Sequence, residues 1–95
     1  LRESQGSIGS VTDGEILYAY QLLASSEGVF VEPACAAPLA GLIKCVKEGT
    51  IPTGAVVTAT MTGHGLKDPD TALGNSGKAI NVRADKEEIF KVLGL

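Results

Sequence analysis

The segment Ala55-Val-Val-Thr-Ala-Thr-Met61 constrains this chain more than any other stretch. Its apolar and β-branched residues fall on both faces, the pattern of a strand buried inside a parallel sheet. Such a strand needs a hydrogen-bonding neighbour on each side and a covering layer above and below. A chain of 95 residues holds few segments that could serve, and at this length a self-standing domain is already marginal. The expectation is a piece of a larger domain.

The flanking elements can be read in order. Thr12 followed three residues later by Glu15 is a capping-box pattern, and Ile16, Leu17, Tyr20, Leu23 and Ala24 continue at helical spacing. The reading is a helix over about 13–26, stopped by Gly28. Val29-Phe30-Val31 suits a buried parallel strand or an extended connector. Pro33 opens a second helical stretch, Ala34–Lys47, which Gly49 ends; Pro38 makes its first turn irregular or moves its start to Ala37. Residues 50–54 form a loop. Beyond the strand, Thr71–Lys78 reads as loop and Ala79–Val82 as a short edge strand. Asp85 with Glu88 forms a second capping box for a helix over 86–93, closed by Gly94. This alternation predicts the α/β class: a partial parallel sheet flanked by helices, an incomplete piece of a larger three-layer α/β domain with no boundary inside residues 1–95. The opening Leu1–Ser10, without an initiating Met or a signal-peptide pattern, reads as the tail of an earlier element running into a loop.

Composition removes several function classes. The net charge is −3 and the basic residues are scattered, so neither nucleic acid nor an anionic membrane surface is an expected partner. No apolar run approaches the roughly 20 residues of a membrane helix. Cys35 and Cys45 are placed in one helix about 15 Å apart, too far for a disulfide. Both are read as small core hydrophobes of a reducing compartment. His64 is the only histidine, and no metal site is expected.

The chemistry-bearing candidate is Thr62-Gly63-His64-Gly65, at the carboxyl end of the strong strand, where ligands bind in open α/β sheets. A hydroxyl followed by two glycines admits close backbone approach to a ligand, although a tight turn after a strand gives the same four letters. His64 reads as a solvent-facing loop residue. Lys67 and Asp68, ahead of Pro69, read as a solvated pair at a helix start.

Longer blocks carry a resemblance. Met61-Thr-Gly-His-Gly-Leu-Lys-Asp-Pro-Asp-Thr-Ala-Leu73 closely resembles the T-G-x-G-L-K-D-P-D-T-A stretch near the end of threonine synthases. Glu27-Gly-Val-Phe-Val-Glu-Pro-Ala-Cys-Ala-Ala37 resembles their E-G-x-F-x-E-P-A-S-A-A segment, and Thr12–Leu23 resembles the helix before it. The blocks stand in the family's order and at about its spacing, and they cover most of the chain. Cys35 stands where Ser is common, and Pro38 where Ser is frequent.

The resemblance implies the C-terminal part of the cofactor-binding α/β domain of a tryptophan-synthase-like (fold type II) enzyme carrying pyridoxal 5'-phosphate. It implies the conversion of O-phospho-L-homoserine and water into L-threonine and phosphate, in a cytoplasmic homodimer. Thr62 matches the hydroxyl that meets the cofactor's pyridine nitrogen, and a neutral hydroxyl supplies a hydrogen bond there without a charge. Gly63 and Gly65 are expected beside the cofactor. Glu32 is expected near the ring plane, or else as a carboxylate favoured at a helix start. The Schiff-base lysine and the phosphate-holding glycine loop have no match here, so no catalytic residue is expected in these 95. Two other readings stay open on sequence grounds. A serine or threonine dehydratase of the same cofactor class would share the Glu-Pro segment and the hydroxyl-Gly-x-Gly turn, but Leu66–Leu73 favours threonine synthase. A stand-alone anion-binding module would unfold cooperatively by itself.

Overall fold

The computed structural model describes residues 3–95. Thr12 begins the first helix, α1 (Asp13–Leu22), with the reciprocal cap that its spacing to Glu15 predicts. The Glu15 amide donates to Thr12 Oγ1 at 3.2 Å, and the Thr12 amide donates to Glu15 Oε2 at 2.7 Å. These bonds satisfy amides that a helix start leaves without partners. After Leu22 the helix widens into a π-turn over Leu23–Glu27, and Gly28 closes it at φ 65°, in the left-handed region. The helical run is therefore as long as its periodicity suggests, with a loosened last turn.

Residues 29–31 form the extended connector. Pro33–Ala36 is a 3-10 turn that leads into α2 (Ala37–Lys47), so Pro38 falls in the first turn of the α-helix, where its missing amide costs nothing. The core lies where α1 meets this turn and α2. Ala19 and Tyr20 pack against Ala36 and Ala40, with Val31 and Cys35 completing a buried cluster ringed by Val11, Ile16, Leu23, Phe30, Leu39 and Met61. Three alanines let the two helices approach closely, at the cost of little apolar volume. No large side chain in this core is fully buried.

The predicted sheet is absent among the described residues. Among the described residues the one β pairing is a single antiparallel bridge between Val31 and His64, which overturns the expectation of a partial parallel sheet flanked by helices. Residues 55–61 make no ladder, and Val56 is 96% exposed. The pattern of a buried strand is a statement about surroundings as much as about propensity. Without a neighbouring strand to accept its hydrogen bonds, the segment stays irregular. Residues 79–82 likewise form no edge strand. Thr71–Lys78 departs in the other direction: Asp68 caps a short helix, α3 (Pro69–Asn75), its Oδ1 accepting from the Thr71 amide at 3.1 Å and its Oδ2 from the Thr71 hydroxyl at 2.8 Å. Aspartate, then proline at the first helical position, is a start signal that the turn residues Asn75-Ser76-Gly77 overshadow in the sequence.

The last helix, α4 (Lys86–Leu93), runs as predicted from Asp85 to Gly94, which sits at φ 71°. Its cap is half of a box. Asp85 Oδ1 accepts from the Glu88 amide at 3.0 Å, but the Glu88 carboxylate turns to Arg83 instead of the Asp85 amide. The α4 face of Ile89, Phe90, Val92 and Leu93 stays exposed, and Ile80 and Val82 line one cleft with it.

Candidate functional site

Two stretches far apart in sequence are laced together at the edge of the core. The Glu32 amide donates to the Gly63 carbonyl at 3.0 Å, and the Gly65 amide donates to the Phe30 carbonyl at 3.2 Å. Residues 30–32 and 63–65 thus run side by side in opposite directions around the Val31–His64 bridge. The four residues singled out in the sequence, Glu32, Thr62, Gly63 and Gly65, meet in this one place.

Both glycines lie close against neighbouring side chains. A Cβ on Gly63 would collide with the Glu32 carboxylate, and a Cβ on Gly65 would collide with the Phe30 ring. Phe30 is held from both directions, with its ring centroid 6.1 Å from that of Tyr20 on α1 and 5.7 Å, edge-on, from that of His64. This row of rings ties the loop to the helical core. His64 serves the turn locally, since its Nδ1 accepts from the Leu66 amide at 3.1 Å and caps the 3-10 turn Gly65–Lys67.

Glu32 uses its backbone and side chain differently. Its carbonyl accepts from the Cys35 amide at 2.9 Å and starts the 3-10 turn. Its carboxylate does not cap that turn. Instead Oε1 accepts from the Cys35 thiol at 3.3 Å and lies 3.7 Å from Lys67 Nζ. Lys67 therefore faces the site as well as solvent. The half-exposed ion pair contributes at most about 1 kcal/mol; what matters is where it holds the carboxylate.

Cys35 is buried in the core as its sequence reading expects, but it also makes polar contacts which that reading did not include. It is 4% exposed, as a small core residue would be, yet its Sγ also lies 2.9 Å from Thr62 Oγ1. That thiol is the single hydrogen-bond partner of the Thr62 side chain among the described residues, and Thr62 itself is exposed. Met61, packed on the core, fixes the chain just before it. Glu32, Cys35 and Thr62 thus form one continuous row of polar side chains. The sign available in the sequence was the replacement of a polar Ser by Cys within the Glu-Pro block. Cys45, on α2, is half-buried and also a free thiol.

Other features lie apart from this cluster. The cleft between α1 and α2, about 630 Å³, is lined by Thr12, Glu15, Tyr18, Ala40, Lys44 and Lys47, but Thr12 and Glu15 there are committed to the helix cap. That cap, through hydrogen bonds from Thr12 first and the charges of Lys44 and Lys47 last, holds the Glu15 carboxyl below the ordinary glutamate value. No group of three or more His, Cys, Asp or Glu among the described residues could hold a metal ion. No helix among them is long and apolar enough to cross a membrane.

Residues 1–63 match the model of the family described as pyridoxal-phosphate dependent enzyme. The chain is similar to a threonine synthase of Synechocystis sp., with 50% identity over 98% of this chain and 24% of that protein. A threonine synthase of Mycobacterium leprae is 48% identical over 99% of this chain and 26% of its own length. One from the archaeon Methanocaldococcus jannaschii is 44% identical, covering 95% of this chain and 22% of its own length. The chain spans about a quarter of the length of these relatives.

Proposed function

Since the chain belongs to the family of pyridoxal-phosphate dependent enzymes, we propose that it is the C-terminal quarter of a threonine synthase, converting O-phospho-L-homoserine and water into L-threonine and phosphate. Identity of 44% to 50% over at least 95% of the chain, with threonine synthases of three organisms, supports this reading. The observation that carries the site assignment is the meeting of Thr62, Gly63 and Gly65 with the distant segment that holds Glu32.

The residues present fit the cofactor. Thr62 is an exposed residue whose hydroxyl has one protein partner, a thiol, which leaves it capacity to serve an aromatic nitrogen. When bound, pyridoxal phosphate supplies an electron sink for the proton removals and the phosphate elimination. Thr62 would hold the ring nitrogen through a neutral hydroxyl that adds no charge. Gly63 and Gly65 keep the lip of the site free of side chains, so that Glu32 and Phe30 settle against the backbone beside it. Glu32, tied to Lys67, would place a carboxylate beside the bound cofactor. The group that exchanges protons with substrate lies outside these 95 residues. The working protein is read as a cytoplasmic homodimer.

The test replaces Thr62 in the complete enzyme by Asp, whose carboxylate would hold a proton on the ring nitrogen. Thr62→Asp is expected to change the absorption spectrum of the bound cofactor and to lower turnover of O-phospho-L-homoserine. An unchanged spectrum and rate would remove Thr62 from the site.

A further inference from the structure

The row Glu32–Cys35–Thr62 contains one thiol between two oxygens. Cys35 Sγ lies 3.3 Å from Glu32 Oε1 and 2.9 Å from Thr62 Oγ1, and its side chain is almost wholly buried. A thiol carries one proton, so it can donate to one of these oxygens at a time. With S–H directed at the Glu32 carboxylate, the 2.9 Å contact is a hydrogen bond only if the Thr62 hydroxyl donates to sulfur. The hydroxyl proton is then spent inward. With S–H directed at Thr62 Oγ1, the hydroxyl accepts from sulfur and its own proton is free to point outward. The Glu32 carboxylate keeps Lys67 Nζ at 3.7 Å as its cationic neighbour in that arrangement.

We infer that Cys35 is a positioning residue, whose thiol decides whether the Thr62 hydroxyl donates inward to sulfur or outward to the nitrogen of a bound aromatic ring. The inference rests on the reading of Thr62 as the ring-nitrogen contact. It assigns Cys35 a role that burial alone does not require, because Ala would fill a small buried position without setting any proton. Binding of a ring nitrogen that needs a donor would turn the S–H bond away from the Glu32 carboxylate toward Thr62 Oγ1, the proton staying on sulfur. No bond to carbon changes and no redox partner is involved. Serine at position 35 would perform the same selection, having one proton and an acceptor oxygen.

The test uses the complete enzyme and pyridoxal 5'-phosphate labelled with 15N in the ring. Thr62→Val comes first and is expected to move the ring-nitrogen resonance; an unmoved resonance overturns the Thr62 reading and the role of Cys35 with it. Given that shift, Cys35→Ala is expected to move the same resonance and to weaken cofactor binding about fivefold, the effect of one neutral hydrogen bond. Cys35→Ser is expected to restore both. A Cys35→Ala enzyme with wild-type resonance and affinity overturns the inference while leaving Thr62 in place. A third measurement needs no substitution that empties the site. The S–H stretching band of Cys35, assigned by its loss in Cys35→Ser, is expected to shift in infrared difference spectra when pyridoxal phosphate is added to the wild-type enzyme. A band that stays in place overturns the inference even if Cys35→Ala does not fold.

Discussion

At the scale of single residues, the two glycines of the site differ in what they can tolerate, because their neighbours differ in freedom. The obstacle to a Cβ at Gly63 is the end of the Glu32 side chain, which can swing aside; at Gly65 it is the Phe30 ring, wedged between Tyr20 and His64. Gly65→Ala in the complete protein is therefore expected to cost about 1–3 kcal/mol, read as a lowered thermal midpoint. Gly63→Ala should leave that midpoint nearly unchanged and instead displace the Glu32 carboxylate, weakening cofactor affinity. Equal destabilisation by the two variants would contradict this difference. The sequence marked Thr62, Gly63, Gly65 and Glu32 through blocks of matching residues, and the backbone brings them together. Cys35 escaped because a buried cysteine and a cysteine that orders a hydroxyl look alike in one dimension. Only its distance to a residue 27 positions away separates them.

At the scale of elements, what could be read depended on whether an element carries its own signals. Helices α1 and α4 do, through Thr12 with Glu15 and Asp85 with Gly94, and both form where expected. Removing the Thr12 cap by Thr12→Ala is expected to cost about 1 kcal/mol, seen as fraying of residues 13–16 in amide exchange. Acid should loosen the start of α4. Hydrogen bonds from the Arg83 side chain and then its amide hold the Glu88 carboxyl below its ordinary value of 4.5. A lowered folded-state value means this stabilisation is complete above about pH 4.5 and fades as pH falls through the lower folded value. The Arg83 amide, which donates to the Glu88 carboxylate, should follow that fall in its chemical shift, and Glu88→Gln should remove that response; an Arg83 response unaffected by the substitution would contradict the assignment. Residues 55–61 were misread because a strand's hydrogen bonds lie with another segment, so a buried-strand composition cannot form a strand where no partner lies alongside. The Asp68-Pro69 start of helix α3 was legible, but the helix is so brief that its body, from Thr71 on, reads as loop.

At the scale of the whole molecule, the chain is too extended to bury its apolar residues. Its radius of gyration is 17.9 Å over extents of 61 × 29 × 19 Å, against about 12 Å for a compact chain of this length. Its accessible surface is 7681 Å², where about 5,100 Å² is usual for this mass. Ile8, Val56, Leu73, Ile80 and Leu95 are among the large apolar residues left exposed. On its own, the 95-residue chain is expected to bind a hydrophobic dye, to self-associate in sedimentation, and to lack a single sharp unfolding transition. A monodisperse monomer with a cooperative transition would support a self-sufficient module instead. The same geometry leaves Thr62 exposed beside its thiol, where the rest of a pyridoxal-phosphate enzyme could bring the cofactor. The most direct measurement is the distance from Thr62 Oγ1 to the cofactor's ring nitrogen in a crystal structure of the complete enzyme. The expected result is a hydrogen bond of about 2.7–3.2 Å; a Thr62 side chain turned from the ring, with another group on the nitrogen, would contradict the account.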